Sequence, residues 1–126
     1  MLFNSLDLGE DDFVDIDGLQ QEIANFASER NWEQFHTVKN LVLALVGEAG
    51  ELASVVQWLE GVDKTFLDSN QDIRQELADE LADVFIYLLR IADVSGINLL
   101  SAAEEKMKKN STRYTIEKSF GNAEKQ

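Results

Sequence analysis

Two pairs of acidic residues stand out because each pair lies within a run of apolar residues. Glu48 and Glu51 are three positions apart in "ALVGEAGELASVVQWLEG", and Glu80 and Asp83 repeat that spacing in "DELADVFIYLLRIA". At about 100° per residue, helical residues three positions apart can point at one object. Carboxylates gathered in this way are typical of divalent-cation sites and of groups that transfer protons.

Both pairs are centred on helix faces that are otherwise apolar. Alternating steps of four and three join Glu48 to Leu41, Leu45, Leu52, Val55 and Leu59, and join Glu80 to Ile73, Leu77, Val84, Tyr87 and Ile91. Burying an unpaired carboxylate costs several kcal/mol, so the acids need compensation by protonation or by a cation. Basic residues are scarce in both segments, and we therefore favour a bound divalent cation.

The residue types restrict which cation this is. The chain has no cysteine and a single histidine, His36, which excludes thiolate zinc sites and multi-histidine sites within one chain. All-oxygen ligation favours Mg²⁺, with Mn²⁺ as an alternative. The Glu-x-x-His pairs of ferritin-like di-iron proteins are absent. Two alternatives stay open: the acids lie on a solvated helix face, or they belong to a non-catalytic acidic interaction module.

Composition narrows the choice of partners. The formal charge is −13, from 24 acidic and 11 basic residues, which disfavours binding to a nucleic-acid backbone over a broad surface. No apolar run approaches the roughly 20 residues that cross a bilayer, and the first residues lack the pattern of a signal peptide. We expect a cytoplasmic protein without nucleic-acid or membrane partners.

The elements that carry these residues are predicted to be helices. Apolar periodicity and capping residues predict four of them, at about 16–30, 37–60, 71–94 and 98–113, with Thr37 as an N-cap and Gly61 and Gly96 as stops. The second is apolar nearly all round, which is typical of a buried helix. No segment has the alternation of a strand, so the predicted class is all-α with a four-helix bundle-like architecture.

The predicted domain organisation has three parts. Residues 1–15 form an acidic tail, residues 16–114 form one folded domain, and residues 115–126 form a C-terminal tail or arm. A chain of 126 residues is most simply a single domain.

Three stretches, "GEAGELASVVQW", "DELADVFIYLLRIA" and "KMKKNSTRY", resemble the MazG-like all-α nucleoside triphosphate pyrophosphohydrolases. The dCTP pyrophosphatase branch is the most similar part of that family. The resemblance implies Mg²⁺-dependent cleavage of a deoxynucleoside triphosphate to the monophosphate and pyrophosphate. It also implies that Glu48, Glu51, Glu80 and Asp83 are metal ligands. A carboxylate that is not fully used in ligation can accept the proton of the attacking water, and we predict Glu51 for this role. Glu76 and Asp79 imitate the second pair one turn earlier, and Glu76 is an alternative outer ligand.

The same resemblance assigns residues to the substrate. It implies that Trp32, His36, Trp58 and Tyr87 surround the nucleoside and that Lys106, Asn110, Arg113 and Tyr114 hold phosphate oxygens. Alternatively, the first set packs in the core and the second is a solvated basic helix end. The family often has proline after the Arg-Tyr pair, where this chain has Thr115.

The resemblance further implies a homo-oligomer, a tetramer built as a dimer of dimers. The apolar second helix supports this, because a small four-helix monomer covers such a surface poorly. An alternative within the same enzyme class is hydrolysis of another nucleotide, as in the related all-α dUTPases.

Overall fold

The computed structural model describes residues 14–126, which contain α-helices, one 3₁₀ turn and no strand. The helices are α1 (Ile16–Glu29), α2 (Val38–Val56), α3 (Lys64–Ser69), α4 (Gln71–Ser95), α5 (Leu99–Arg113) and α6 (Ile116–Ser119), and the 3₁₀ turn spans Glu33–Phe35. The all-α class predicted from the sequence is confirmed.

Local hydrogen bonds explain where the long helices begin and end. Thr37 caps α2, because its Oγ1 accepts from the backbone N–H of Asn40 at 3.1 Å, and Asn98 caps α5 in the same way. The α4 helix ends at Gly96, whose φ of 67° is left-handed. The N–H of Ile97 then donates to the carbonyl of Ala92 at 2.9 Å, which completes a Schellman motif.

The α2 and α4 helices form the main packing unit, and α1 and α3 pack on α4. Leu89 of α4 is fully buried, and the other buried apolar residues of the described chain are Ala27, Leu41 and Ala92. A long-range hydrogen bond ties α1 to α4, because Gln20 Nε2 donates to the carbonyl of Leu89 at 3.1 Å. The α2–α4 pair therefore positions both acidic motifs.

The predicted helix boundaries need two corrections. The second helix ends at Val56 rather than near Glu60, so Gly61 is not its stop. The residues before α4 also include the short helix α3, which was not predicted. Asp63 accepts a hydrogen bond from the backbone N–H of Phe66 at 2.9 Å and so caps α3.

One face of the second helix is exposed in the described chain, which agrees with the expectation that a small four-helix monomer covers this helix poorly. Leu43 is 60% exposed and Val46 is 66% exposed, although Leu41 on the opposite face is buried. The reason is the direction of α5, which makes an angle of 100° with α4 and does not pack extensively on α2. The described chain thus departs from a closed four-helix bundle and leaves an apolar face of α2 uncovered.

The structure describes the predicted C-terminal arm but only the end of the predicted acidic N-terminal tail. Most of the predicted acidic tail, residues 1–13, lies outside the described residues. The predicted C-terminal arm contains α6, and its division from the domain stays a prediction. Across residues 14–126, no single helix is long and apolar enough to span a membrane. The α4 and α5 helices reach that length and apolar content only when they are taken together, and the chain bends sharply between them.

Candidate active site

Packing of α2 against α4 brings three of the four predicted metal ligands together. Glu48 of α2 and Glu80 and Asp83 of α4 each offer a carboxylate oxygen, and these oxygens lie within 4.8 Å of one another. Glu48 and Glu80 are half-buried and Asp83 is exposed. The cluster therefore opens to solvent on the Asp83 side, as a site for a dissolved ligand must.

The two half-buried carboxylates lack compensation from the protein. Oε2 of Glu48 and Oε2 of Glu80 are buried, and neither has a hydrogen-bond partner within residues 14–126. Burial raises the pKa of Glu48 and of Glu80 above the ordinary value for glutamate. The negative charges of Glu51 and then Asp83 raise both pKa values further.

These observations meet the requirements of a divalent cation. The donor set consists of oxygen atoms, two of them are buried without partners, and the local charge is uniformly negative. Hard cations such as Mg²⁺ and Mn²⁺ take ligands of this kind. The arrangement of Glu48, Glu80 and Asp83 therefore fits a bound divalent metal ion.

Glu51 lies at the edge of this cluster. It is exposed, one turn beyond Glu48, and its charge is the largest electrostatic influence on both half-buried carboxylates. Glu76 is exposed and is not a member of the cluster within the described residues. The geometry thus favours Glu80 and Asp83 as metal ligands over Glu76 and Asp79, the similar pair one turn earlier.

Three of the predicted nucleoside-binding residues line one cavity of about 150 Å³. Trp32, His36 and Tyr87 share its wall with Arg90 and with apolar residues, namely Ile23, Phe26, Ala27, Leu41 and Ile86. Trp32 is 43% exposed and its ring lies 5.7 Å from that of Phe26, edge to face. Tyr87 is one turn from Asp83 on α4, so the cavity lies close to the carboxylates.

Trp58 does not join this cavity. It is 87% exposed and lies beyond the end of α2 at Val56, so its predicted place within a helix over 37–60 was wrong. Its predicted contact with the nucleoside stays a prediction.

The four predicted phosphate-binding residues lie between the middle of α5 and the residue just beyond its C-terminal end. Lys106 and Arg113 are exposed, whereas Asn110 and Tyr114 are half-buried. The guanidinium of Arg113 lies 5.5 Å from the ring of Tyr114 and donates to the backbone oxygen of Gln126. Because α5 does not pack extensively on α2, their role toward phosphate also stays a prediction.

The sequence profile of the MazG nucleotide pyrophosphohydrolase domain matches residues 36–115, which include all four motif acids. The chain belongs to the MazG family. A crystal structure of a pyrophosphatase from Archaeoglobus fulgidus has the same fold, with a TM-score of 0.72 and 35% identity. The match covers 79% of this MazG-family chain and 92% of the archaeal one.

Curated relatives carry a more specific name. Rat dCTP pyrophosphatase 1 is 44% identical over 100 residues, which is 79% of this chain and 59% of the rat protein. Human dCTP pyrophosphatase 1 is 45% identical over 91 residues, which is 72% of this chain and 54% of the human protein. The matched part of the MazG-family chain thus spans less than two thirds of the length of these relatives.

One residue of the site, Arg90, was not predicted from the sequence. Arg90 of α4 is buried, lines the aromatic cavity and donates from Nε to His36 Nδ1 at 3.0 Å. The available signal was a basic residue on an apolar helix face, in "IYLLRIADV". Its partner His36 is 54 positions away, so no local pattern indicates the contact.

The raised pKa values predict how pH and metal affect the stability of this MazG-family chain. Folded protein binds more protons than the unfolded chain, so the stability of EDTA-treated protein should fall as pH rises from the ordinary glutamate pKa through the raised values. At neutral pH, saturating Mg²⁺ should raise the melting temperature by roughly 10 °C. This gain should shrink toward acid pH, where protonation replaces the metal.

Thermal melts across a pH series, with and without Mg²⁺, measure both effects. Potassium chloride at equal ionic strength is the control, because general screening of a chain of charge −13 also stabilises it. Equal stabilisation by Mg²⁺ and potassium would contradict a specific metal site.

Proposed function

We propose that the protein hydrolyses deoxynucleoside triphosphates, with dCTP or a close analogue as preferred substrate, to the monophosphate and pyrophosphate in a Mg²⁺-dependent reaction. The carboxylate cluster at the α2–α4 junction carries this proposal, because two of its buried oxygens are unpartnered in the described chain. Membership of the MazG nucleotide pyrophosphohydrolase family supports the reaction class. The curated dCTP pyrophosphatases support the choice of base.

The residues divide the work between holding the cation and moving a proton. Glu48, Glu51, Glu80 and Asp83 would hold Mg²⁺, or Mn²⁺ in its place. The chemistry that such a cation supplies is neutralisation of the triphosphate charge and activation of a water molecule for in-line attack. Glu51 is exposed beside the cluster and is assigned as the acceptor of the water proton. The water oxygen bonds to phosphorus as the oxygen bridging the α- and β-phosphates departs.

The aromatic cavity is assigned to the base. Trp32 offers a ring face on which any base can stack, and Tyr87 and His36 lie beside it. Trp58 would flank the nucleoside from outside this cavity. Lys106, Asn110, Arg113 and Tyr114 would bind phosphate oxygens. A dissolved nucleotide substrate would place the enzyme with the nucleotide pool of the cytoplasm, where its role would be to clean or balance that pool.

We also assign a homo-oligomer to the working enzyme, a tetramer built as a dimer of dimers. The support is the uncovered apolar face of α2, together with exposed apolar residues on the neighbouring helices, namely Leu81, Phe85, Leu100 and Met107. Monomeric proteins rarely leave contiguous apolar patches of large area in water. In such an assembly a neighbouring chain can cover α2 and contribute α5 residues to the phosphate end of a site.

The nucleotide preference can be measured directly. Incubation of the protein and Mg²⁺ with dCTP, dUTP, dTTP, dATP and dGTP should give the highest kcat/KM for dCTP, by roughly tenfold over the others. Highest turnover of dUTP would support an all-α dUTPase-like activity instead. No turnover of any nucleotide would overturn the enzymatic proposal and leave the acidic interaction module.

A further inference from the structure

Arg90 is a buried charge whose hydrogen bonds reach into the base cavity. It is 8% exposed and is the buried charged residue of the described chain. One terminal guanidinium nitrogen donates to Asp93 at 3.3 Å, which offsets the positive charge, while Nε donates to His36 Nδ1 at 3.0 Å. Burying a guanidinium is costly, so the contact with His36 calls for an explanation.

The contact determines which nitrogen of His36 carries the proton. A guanidinium is donor-only and stays charged in proteins, so the nitrogen that faces it must accept. His36 Nδ1 is therefore unprotonated, and the proton of the neutral ring is on Nε2. Burial, and then the charge of Arg90, lower the pKa of His36, which keeps the ring neutral.

The resulting N–H is available to a ligand. Within residues 14–126, no hydrogen bond engages His36 Nε2, although His36 lines the cavity with Trp32 and Tyr87. A cavity of about 150 Å³ accommodates a single six-membered ring, as a benzene-binding cavity of that size illustrates. The rest of the wall is mostly apolar, so a hydrogen-bond donor placed there contributes strongly to discrimination between base edges.

The cavity is also at the right distance from the carboxylates. Asp83, Tyr87 and Arg90 follow one another in steps of four and three on α4, so they share one helix face. Seven residues of helix place Arg90 about 10 Å along the axis from Asp83. This separation matches the reach of a nucleotide whose phosphates lie at the acids and whose base lies in the cavity.

We propose that Arg90 is a positioning residue that holds His36 as an Nε2–H donor, so that the cavity selects cytosine over uracil. The inference rests on the proposed function and adds the group that chooses the base. Cytosine N3 and O2 both accept hydrogen bonds, whereas uracil N3 carries a proton and would meet the His36 N–H donor to donor. A pyrimidine whose N3 accepts a hydrogen bond is the substrate class that this arrangement recognises.

The tautomer can be observed directly because His36 is the single histidine of the chain. In ¹⁵N-labelled wild-type protein, we expect a pyridine-like Nδ1 signal and a pyrrole-like, protonated Nε2 signal. Arg90→Met should give a mixture of tautomers. Arg90→Lys keeps a donor-only group and should retain the wild-type pattern, as should Arg74→Met, which removes an exposed arginine of the same helix.

Kinetics with dCTP and dUTP separate base selection from a purely structural contact. Arg90→Met should raise KM for dCTP roughly tenfold with little change in kcat, and should lower the preference for dCTP over dUTP. Arg90→Lys should restore both values. A purely structural contact would lower the melting temperature and leave KM and the base preference of the folded enzyme unchanged.

Two further measurements protect the test against misfolding and against failure of the proposed function. If Arg90→Met does not fold, His36→Phe removes the donor, keeps a ring and should show the same loss of base preference. Titration of wild-type protein with dCMP should shift the Nε2 signal of His36. If this shift is seen but no nucleotide is hydrolysed, the proposed function is rejected and the inference about the base cavity is supported. Turnover of dCTP with a protonated Nδ1, or with KM and base preference unchanged in His36→Phe, would overturn the inference alone.

Discussion

Replacing Glu48 by glutamine should lower kcat/KM for dCTP by more than about 100-fold while the protein stays folded. Loss of a residue that only orients a metal ligand lowers metal affinity or activity about 10–100-fold, so loss of a direct ligand should lower activity more. Glu48 is half-buried, its Oε2 has no partner within the described residues, and its pKa is raised by burial and by the charges of Glu51 and Asp83. A neutral amide removes that repulsion, so the melting temperature in EDTA should be unchanged or raised by a few degrees.

Glu76→Gln is the matched control for this substitution. Glu76 is exposed, lies one turn before Glu80 and is outside the cluster, so its replacement should leave activity within about twofold. Steady-state kinetics, circular dichroism and thermal melts on both variants give the comparison. If Glu48→Gln does not fold, Glu48 has a structural role. If both variants lose activity equally, the metal site includes Glu76, one turn before Glu80 on α4.

Replacing Leu89 by alanine should destabilise the fold by about 3 kcal/mol. Leu89 is fully buried in α4 where α1 packs on it, so truncation removes apolar burial and leaves a cavity. For a chain of this size the melting temperature should fall by roughly 10 °C. The Gln20 hydrogen bond to the Leu89 carbonyl involves only the backbone of residue 89 and should survive.

Ile116→Ala provides the comparison for Leu89→Ala. Ile116 is 83% exposed in α6, so removing its side chain should change stability by less than about 0.5 kcal/mol. Urea denaturation of both variants measures the two free energies of unfolding. A cost below about 1 kcal/mol for Leu89→Ala would contradict the packing of α1 on α4.

Features that depend on near neighbours in the chain were predictable from the sequence. Thr37 caps a helix and Gly96 ends one, because these roles depend on hydrogen bonds within a few residues. The half-buried positions of Glu48 and Glu80 follow from helical periodicity. Two such periodic faces pack together because both are apolar, so the carboxylate cluster is a consequence of local patterns.

Features that depend on distant parts of the chain were not predictable in this way. The contact between Arg90 and His36 joins positions 54 residues apart, and no local pattern reports it. The α2 helix ends at Val56, before Trp58, although the apolar periodicity of the sequence continues to Leu59. The direction of α5 depends on which other helix or chain packs against its apolar face. Apolar periodicity shows that such a face exists but does not specify its partner.

The most direct measurement is the product balance of dCTP hydrolysis with and without metal. With Mg²⁺, separated products should be dCMP and pyrophosphate in equal amounts, EDTA should abolish the reaction, and excess Mg²⁺ should restore it. This result would show that cleavage occurs between the α- and β-phosphates and requires a divalent cation. Release of inorganic phosphate, or turnover that EDTA leaves intact, would contradict the account.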